Sequence, residues 1–429
     1  MPNIVTSSYF DKKKIIGTGS YCTVWYVTNK QYKKEFAMKQ MSKCQLIEQK
    51  CYQDILYEQE LITRINHPFI VSLNFCFQDK DYLYNVYDLM NGGDLRYWYI
   101  QKKIFDEKEC KFIIACIILG LEYLHVNKII HRDLKPENIL FDKNGYVYMT
   151  DFGIAKQLEN EPEEHIIHIS GSPGYMSPET IFNEKHSYCS DFFSLGVICY
   201  EMMMRRRPYI GKNRQEIKDK MSKEQVQIKK EDIQKGWSYE CCDFINKLLI
   251  KNPENRLGYK GISELKNHPW LRNINWKLTY LKQEEAPFIP PKKVICSDDS
   301  AIENLKDSKA YKKIKQSELY KTAFDDFKYF NKFSLNYQKT AKKLENPHLF
   351  YTTEIEQKEN DINLYVSKTE ENVKDENNKN SNANVRTKIY QEKKIKSRNI
   401  NDQVGEIKEK YKMFLNPIKM SLRKPSFED

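Results

Sequence analysis

Apolar positions change rhythm along this chain. Between residues 9 and 90, the stretches FDKKKIIG, TVWYVT, EFAMKQ, IVSLNFCF and YLYNVYDL are short and rich in β-branched and aromatic residues, the signature of strands. Among them, CYQDILYEQELITRI carries its apolar residues at helical spacing, which predicts one helix inside a β-rich segment. From about residue 94 to 271 the pattern is mainly helical. FIIACIILGLEYLH and FFSLGVICYEMMM are apolar nearly all round, as befits helices running through the middle of a core. The expectation is an α+β chain with a small β-rich lobe, about 9–90, and a larger helical lobe, about 91–271.

Outside that span the texture differs. Residues 1–8 form a short N-terminal extension. Residues 272–335 keep aromatics and prolines (APFIPP, FDDFKYFNKF) with little periodicity, which suits an extended tail wrapping over a domain. From 336 to 429 the chain is rich in Lys, Glu and Asn and is expected to be mostly disordered. Within it, Ile400, Val404, Ile407, Tyr411 and Phe414 recur at four-three spacing, so a short helix over about 400–415 is allowed. It reads either as a fraying surface helix or as one that docks a regulatory partner.

Composition narrows the class. The 429 residues are 40% hydrophobic, enough for a sizeable core, and no run of about 18 apolar residues suggests a membrane span. The start, MPNIVTSS, has no basic-then-apolar pattern of a signal peptide, and Pro2 excludes N-myristoylation. The 11 cysteines lack any C-x-x-C pair, which argues against a disulfide framework or a zinc site. The formal charge of +11 comes from dispersed lysines, a solvated basic surface rather than a nucleic-acid-binding block. A monomer of the cytoplasm, or of the nucleus, is expected.

Chemistry concentrates in a few motifs. GTGSYCTV (17–24) is a two-glycine loop between predicted strands, open on its own to reading as a phosphate clamp or an ordinary turn. HRDLKPEN (131–138) decides between them. A loop of the form H-R-D-x-x-x-x-N sets an acid and a metal ligand on one side of a transferring phosphate. Asp133 would accept a substrate hydroxyl's proton, Asn138 would hold Mg²⁺, and Lys135 would reach the γ-phosphate. Asp151, in DFG, can hold Mg²⁺ bridging the phosphates.

With these motifs in order, residues 9–271 resemble the eukaryotic protein kinases, implying a bilobal fold with one regulatory helix in the small lobe. The resemblance makes Lys39 of FAMK the lysine that grips the α/β-phosphates and Glu58, rather than its neighbour Glu60, that lysine's partner. It implies nucleotide contacts from Ile16, Gly17, Gly19, Val24, Ala37, Lys39, Asp88, Met90, Asp94 and Leu140, with ATP and Mg²⁺ as cofactors. SPE (177–179) stands for the A-P-E motif, pairing Glu179 with Arg256, and Asp191 would brace the catalytic loop. Ile62, Leu73, His131 and Phe152 take the positions of the stack that aligns the lobes.

NPENRLG, HPW and the aromatic tail resemble the AGC group of serine/threonine kinases. SLNFCFQDKDYLYNVYDLMNGGDLRYWY (72–99), INW and PFIP resemble its yet-another-novel-kinase subgroup, whose members commonly start Met-Gly rather than Met-Pro. Lys135 and Ser172 imply transfer to Ser/Thr. Asp94, Glu137 and Glu201 match acids that meet arginines upstream of the target, and Ile169, Pro173 and Met176 would line an apolar pocket just after it. The implied substrates are proteins with basic residues before the Ser/Thr. The alternative is a pseudokinase scaffold that binds ATP without efficient transfer, although Lys39, Asp133 and Asp151 are all kept.

Three positions depart from the pattern. His168 stands where the family carries its loop phosphothreonine. Either Glu163 or Glu164 folds back to Arg132, or the loop waits on a partner or on another phosphosite such as Ser170. The tail offers two registers of its docking motif, FDDFKY (324–329) and FNKFSL (330–335), of which only the second has a phosphorylatable Ser334. Cys22 replaces a glycine of the loop and puts a thiol beside the expected phosphates, a site for oxidation or alkylation that ATP would suppress.

Overall fold

Strand alternation in EFAMKQMS organises the small lobe. In β3 (Glu35–Ser42), Phe36 and Met38 point to one face of the sheet and Ala37, Lys39 and Met41 to the other. Phe36 and Met38 join an aromatic-rich cluster with Phe10, Val27, Phe75, Phe77, Tyr84 and Val86. Rings in it meet edge-on or stacked, Phe10 on Phe77 at 5.8 Å and Phe36 on Phe75 at 5.7 Å. Met41 belongs to the main core, and Lys39 is left facing the space between the lobes.

The computed structural model describes residues 5–102, 104–158, 169–291, 314–325, 327 and 329–330, all within one unit, Met1–Asn336. β1 (Phe10–Thr18), β2 (Cys22–Asn29), β3, β4 (Leu73–Gln78) and β5 (Tyr82–Asp88) form an antiparallel sheet in the order β1-β2-β3-β5-β4. Register sets Lys39 between Val24 of β2 and Asn85 of β5, and Ala37 between Tyr26 and Tyr87. The strand Tyr329–Phe330 extends the sheet beside β4.

Two helices, not the single one expected, connect β3 to β4. α1 (Lys43–Glu48) begins where the Ser42 hydroxyl accepts from Gln45 N, and Lys50 in the left-handed region (φ 57°) separates it from α2 (Tyr52–Thr63). α2 turns Ile55, Glu58, Leu61 and Ile62 inward.

α3 (Leu95–Lys102) opens the larger lobe. α4 (Glu107–Val126) starts on a capping box between Asp106 and Glu109 and is buried along most of its length. Short pairs follow: β6 (Ile129–Ile130), β7 (Ile139–Phe141), β8 (Val147–Met149) and β9 (Lys156–Gln157), with β6 on β9 and β7 on β8. α5 (Pro178–Ile181) precedes α6 (Cys189–Met204), the second apolar helix, which ends as Arg205 turns left-handed at φ 57°. α7 (Arg214–Lys223) and α8 (Tyr239–Leu248) complete the helical layer, with α8 against α6.

Tail segments hold to both lobes. Phe288 sits edge-on to Trp98, Phe105 and Phe141 at 5.3, 5.6 and 5.5 Å. Beyond a helical turn, Glu318–Thr322, Phe324 and Phe327 are buried, Phe324 against Tyr52 of α2 at 6.2 Å. Ser334, Phe333 and the charged segment 336–429 with its helix at about 400–415 lie outside the described residues.

Candidate active site

The segment between β6 and β7 is held from beneath by one buried acid. Asp191, on α6, accepts from the backbone amides of His131 (3.0 Å) and Arg132 (2.9 Å), and its Oδ2 lies 2.9 Å from His125 Nε2. Burial works to raise its carboxyl, and the bond and charge of His125 with these neighbours outweigh it, leaving it below the usual range. Arg132 and Asp151 both adopt left-handed backbones (φ 69° and 65°), uncommon for non-glycine residues and concentrated at functional sites.

On this support stands a cluster around Asp133. Its Oδ2 accepts from Lys135 Nζ at 2.6 Å and Asn138 Nδ2 at 3.2 Å, while Oδ1 accepts from the Ser172 amide at 3.0 Å and hydroxyl at 2.9 Å. Lys135 also donates to Ser172 Oγ at 2.9 Å. The acid is thereby oriented from two sides, by the loop that bears it and by Ser172, which follows Asp151 in the chain. Asn138 commits its amide nitrogen to Asp133, including the backbone carbonyl at 2.9 Å, and keeps its amide oxygen for another partner.

Across the cleft, Lys39 Nζ lies 3.3 Å from both carboxylate oxygens of Glu58, in a pair that is 17% and 4% exposed. Burial works to lower the ammonium's pKa; the charge of Glu58, with smaller help from Asp151, outweighs it and holds the pKa well above its usual value. Lys39 is therefore charged and aimed. Glu60 is elsewhere, exposed and paired with Arg64.

The β1–β2 turn closes as Gly19 N donates to Cys22 O at 2.8 Å, and a Cβ on Gly19 would come within 3.0 Å of Cys22 Sγ. The third glycine's replacement thus packs against the second glycine. Ile16, Val24, Ala37 and Leu140 are half-buried, whereas Ile15, Val27 and Met38 beside them are fully buried, so apolar surface remains open toward the cleft. Tyr87, Asp88 and Met90 are half-buried along the same edge; Asp88 pairs with Lys34 at 3.0 Å and Asn85 donates to the Tyr87 hydroxyl at 3.2 Å.

This donor set fits Mg-ATP. A half-buried ammonium, glycine amides in a tight turn and apolar flanks suit phosphates and a base. The exposed carboxylate of Asp151 and the amide oxygen of Asn138 are hard oxygen ligands, the kind Mg²⁺ takes alongside substrate phosphates. Among the described residues no cluster of three His, Cys, Asp or Glu suggests a self-contained metal cage.

The residues expected to meet a peptide lie beside Asp133. Asp94 caps α3, its Oδ1 accepting from Tyr97 N at 2.8 Å, and burial pushes its carboxyl up. Glu137 and Glu201 are bridged by Arg96, a residue not singled out from the sequence: Arg96 Nε donates to Glu137 at 3.0 Å and Nη1 to Glu201 at 2.8 Å. The Tyr175 hydroxyl, also unforeseen, donates to Glu201 at 2.5 Å. Ile169 and Pro173 are half-buried, while Met176 is 4% exposed and offers little surface. Ser170 bonds Arg132. His168, Glu163 and Glu164 lie outside the described residues. Farther back, Arg256 and Glu179 form a buried two-bond fork at 2.7 and 2.8 Å.

Comparison with known proteins agrees with this geometry. The family described as the protein kinase domain matches residues 10–271. A probable serine/threonine-protein kinase of Dictyostelium discoideum is 37% identical over 296 residues, covering 68% of this chain and 63% of its own. Serine/threonine-protein kinase sgk-1 of Caenorhabditis elegans is 35% identical over 66% of this chain and 61% of its own. Ribosomal protein S6 kinase alpha-6 of Homo sapiens is 34% identical over 67% of this chain and 39% of its own. The alignments therefore span less than two thirds of these relatives' lengths.

Proposed function

The chain belongs to the protein kinase family, and from that premise we propose that it is a serine/threonine kinase that moves the γ-phosphate of Mg-ATP to protein hydroxyls. The observation that carries this reading is the paired arrangement of Lys39 on Glu58 and of Asp133 among Lys135, Asn138 and Ser172.

Each residue then has a physical task. Lys39, fixed by Glu58, binds the α/β-phosphates, and Gly17 and Gly19 let backbone amides approach them closely. Mg²⁺, when bound by Asp151 and Asn138, neutralises charge on the transferring phosphoryl group. Asp133 accepts the proton of the attacking hydroxyl; Ser172 holds the carboxylate in place, and Lys135 stands 2.6 Å from it, ready to meet the phosphoryl oxygens. Ile16, Val24, Ala37 and Leu140 enclose the base, with the backbone of Asp88–Met90 at its edge.

Asp94, Glu137 and Glu201 favour substrates with basic residues before the target, and the fork from Arg96 supports this by showing that two of these acids accept a guanidinium. Among the described residues no helix is long and apolar enough to cross a membrane. In this reading the protein works as a monomer in the cytoplasm or nucleus, with a regulatory partner for its tail.

Transfer of labelled phosphate from Mg-ATP to a basic Ser/Thr peptide mixture tests the assignment. Asp133→Asn should lower the rate by about 10²–10⁴-fold, the usual worth of a general base. An unchanged rate would refute Asp133 as the base, and no transfer by wild type would count for a scaffold instead.

A further inference from the structure

The acidic cleft beside the catalytic loop already holds a guanidinium, and it is the chain's own. Arg96 Nη1 and Nη2 donate to the two oxygens of Glu201 at 2.8 and 3.2 Å, and Nε donates to Glu137 Oε1 at 3.0 Å. Nη2 also bonds the Tyr175 hydroxyl, which itself donates to Glu201. One fork thereby engages both acids, Glu201 through two oxygens and Glu137 through one. Its side chains are 26% exposed for Arg96 and 11% for Glu201, so the pair is partly withdrawn from water and is not a weak surface contact.

Two neighbours make the arrangement selective. Asp94 lies outside the fork and has no ion pair among the described residues. Arg207 lines the same cleft, its guanidinium 5.9 Å from the Tyr175 ring, and among the described residues it too has no ion pair. With Arg96 seated, the Glu201 carboxylate is covered, and Glu137, 46% exposed, shares its Oε1 with the same guanidinium.

We infer that Arg96 is a built-in competitor for substrate arginine: it occupies Glu137 and Glu201, so a basic substrate must displace it there. Selection for arginine is muted at the upstream position those acids read and is kept where Asp94 reads. Exchange of one guanidinium for another gains no bond, and the displaced Arg96 returns to a cleft already carrying Arg207. This specificity-determining role rests on the kinase reading and refines it.

The test is a positional peptide scan with the full chain, Arg96→Ala and Arg96→Lys, each upstream position set to Arg or Ala. At the masked position, wild type should prefer Arg by no more than about twofold, and Arg96→Ala should raise that ratio about tenfold, the worth of one charge-assisted pair. Arg96→Lys, which keeps a cation but loses the fork, should fall between them. Adding Glu201→Gln to Arg96→Ala should erase the gain. A ratio unchanged by Arg96→Ala, or a gain that survives Glu201→Gln, overturns the inference. Because each ratio compares two peptides on one enzyme, a partly folded preparation does not move it. Fluorescence anisotropy with an arginine-containing peptide repeats the comparison without turnover: tighter binding by Arg96→Ala supports the competitor, and equal binding overturns it. Absence of transfer alongside tighter binding would therefore count against the kinase reading alone.

Discussion

Two buried or half-buried residues show how environment sets chemistry. Burial alone would push the Glu179 carboxyl up, but the two bonds and the charge of Arg256 outweigh it and hold it below its usual 4.5. A depressed carboxyl contributes stability that is present above about pH 4.5 and lost as pH falls through its lower folded value. Glu179→Gln strands a guanidinium that is 0% exposed, and breaking such a pair costs about 3–5 kcal/mol. Urea unfolding should show that deficit in full at pH 7 and a shrinking one below pH 4.5. A deficit constant across that range would contradict the pair's role. Cys22 shows the opposite sign. Burial raises its thiol above 9.0, with Lys39 opposing and Glu58 and Asp151 reinforcing the rise. Thiolate is the reactive form, so carboxamidomethylation of Cys22 should be slow at pH 7 and quicken above pH 9. Rapid labelling at pH 7, followed by mass spectrometry, would revive the neutral-pH redox switch that a raised thiol disfavours.

At the scale of elements, α2 carries Glu58 on one side and meets the tail through Tyr52. Phe324 and Phe327 are 2% and 1% exposed, Lys43 Nζ lies 5.6 Å from the Phe324 ring, and Gln78 of β4 bonds the Phe324 carbonyl. The first phenylalanine pair is thus seated on the small lobe in the described structure. Truncating a buried phenylalanine to alanine costs about 3–5 kcal/mol, here at a helix whose placement sets the Lys39–Glu58 distance. Phe324→Ala/Phe327→Ala should therefore lower melting temperature and cut kcat at least about tenfold. Phe330→Ala/Phe333→Ala should do less; the reverse ranking would assign the docking register to FNKFSL. The sequence left this choice open because both runs satisfy the same aromatic spacing; packing on Tyr52 and Lys43 is seen for Phe324, and the side chains of FNKFSL lie outside the described residues. The apolar helices α4 and α6 were legible because each carries an apolar run too long for a strand. α1 was not, since six residues capped by Ser42 carry too little pattern to stand apart from α2. Arg96 escaped for a related reason: an arginine two residues after Asp94 looks solvated until folding brings Glu137 and Glu201 to it.

Across the whole molecule, one apolar cluster runs from Met41 and Ile62 in the small lobe through Leu73, Leu134 and Phe152 to Trp270 and Leu271. His131 joins this continuity with its ring 5.1 Å from Phe152 and its Nε2 3.3 Å from the Thr150 carbonyl. The stack foreseen from Ile62, Leu73, His131 and Phe152 is buried throughout. Motif order made these positions readable, because residues that bind one nucleotide must return to one cleft wherever they lie in the chain. Every side chain placed in the cleft, and every support described for it, falls between residues 10 and 330, inside the unit Met1–Asn336. The chemistry should therefore be separable from the charged segment beyond. A chain ending at Asn336 should phosphorylate a short peptide with kcat/KM within about threefold of the full chain, a difference below 1 kcal/mol, and melt within a few degrees of it. Phosphorylation of protein substrates is the more sensitive comparison, since a distal segment that recruits them adds effective concentration without touching the cleft. A truncated chain that loses more than tenfold on the short peptide would place part of the catalytic support beyond residue 336.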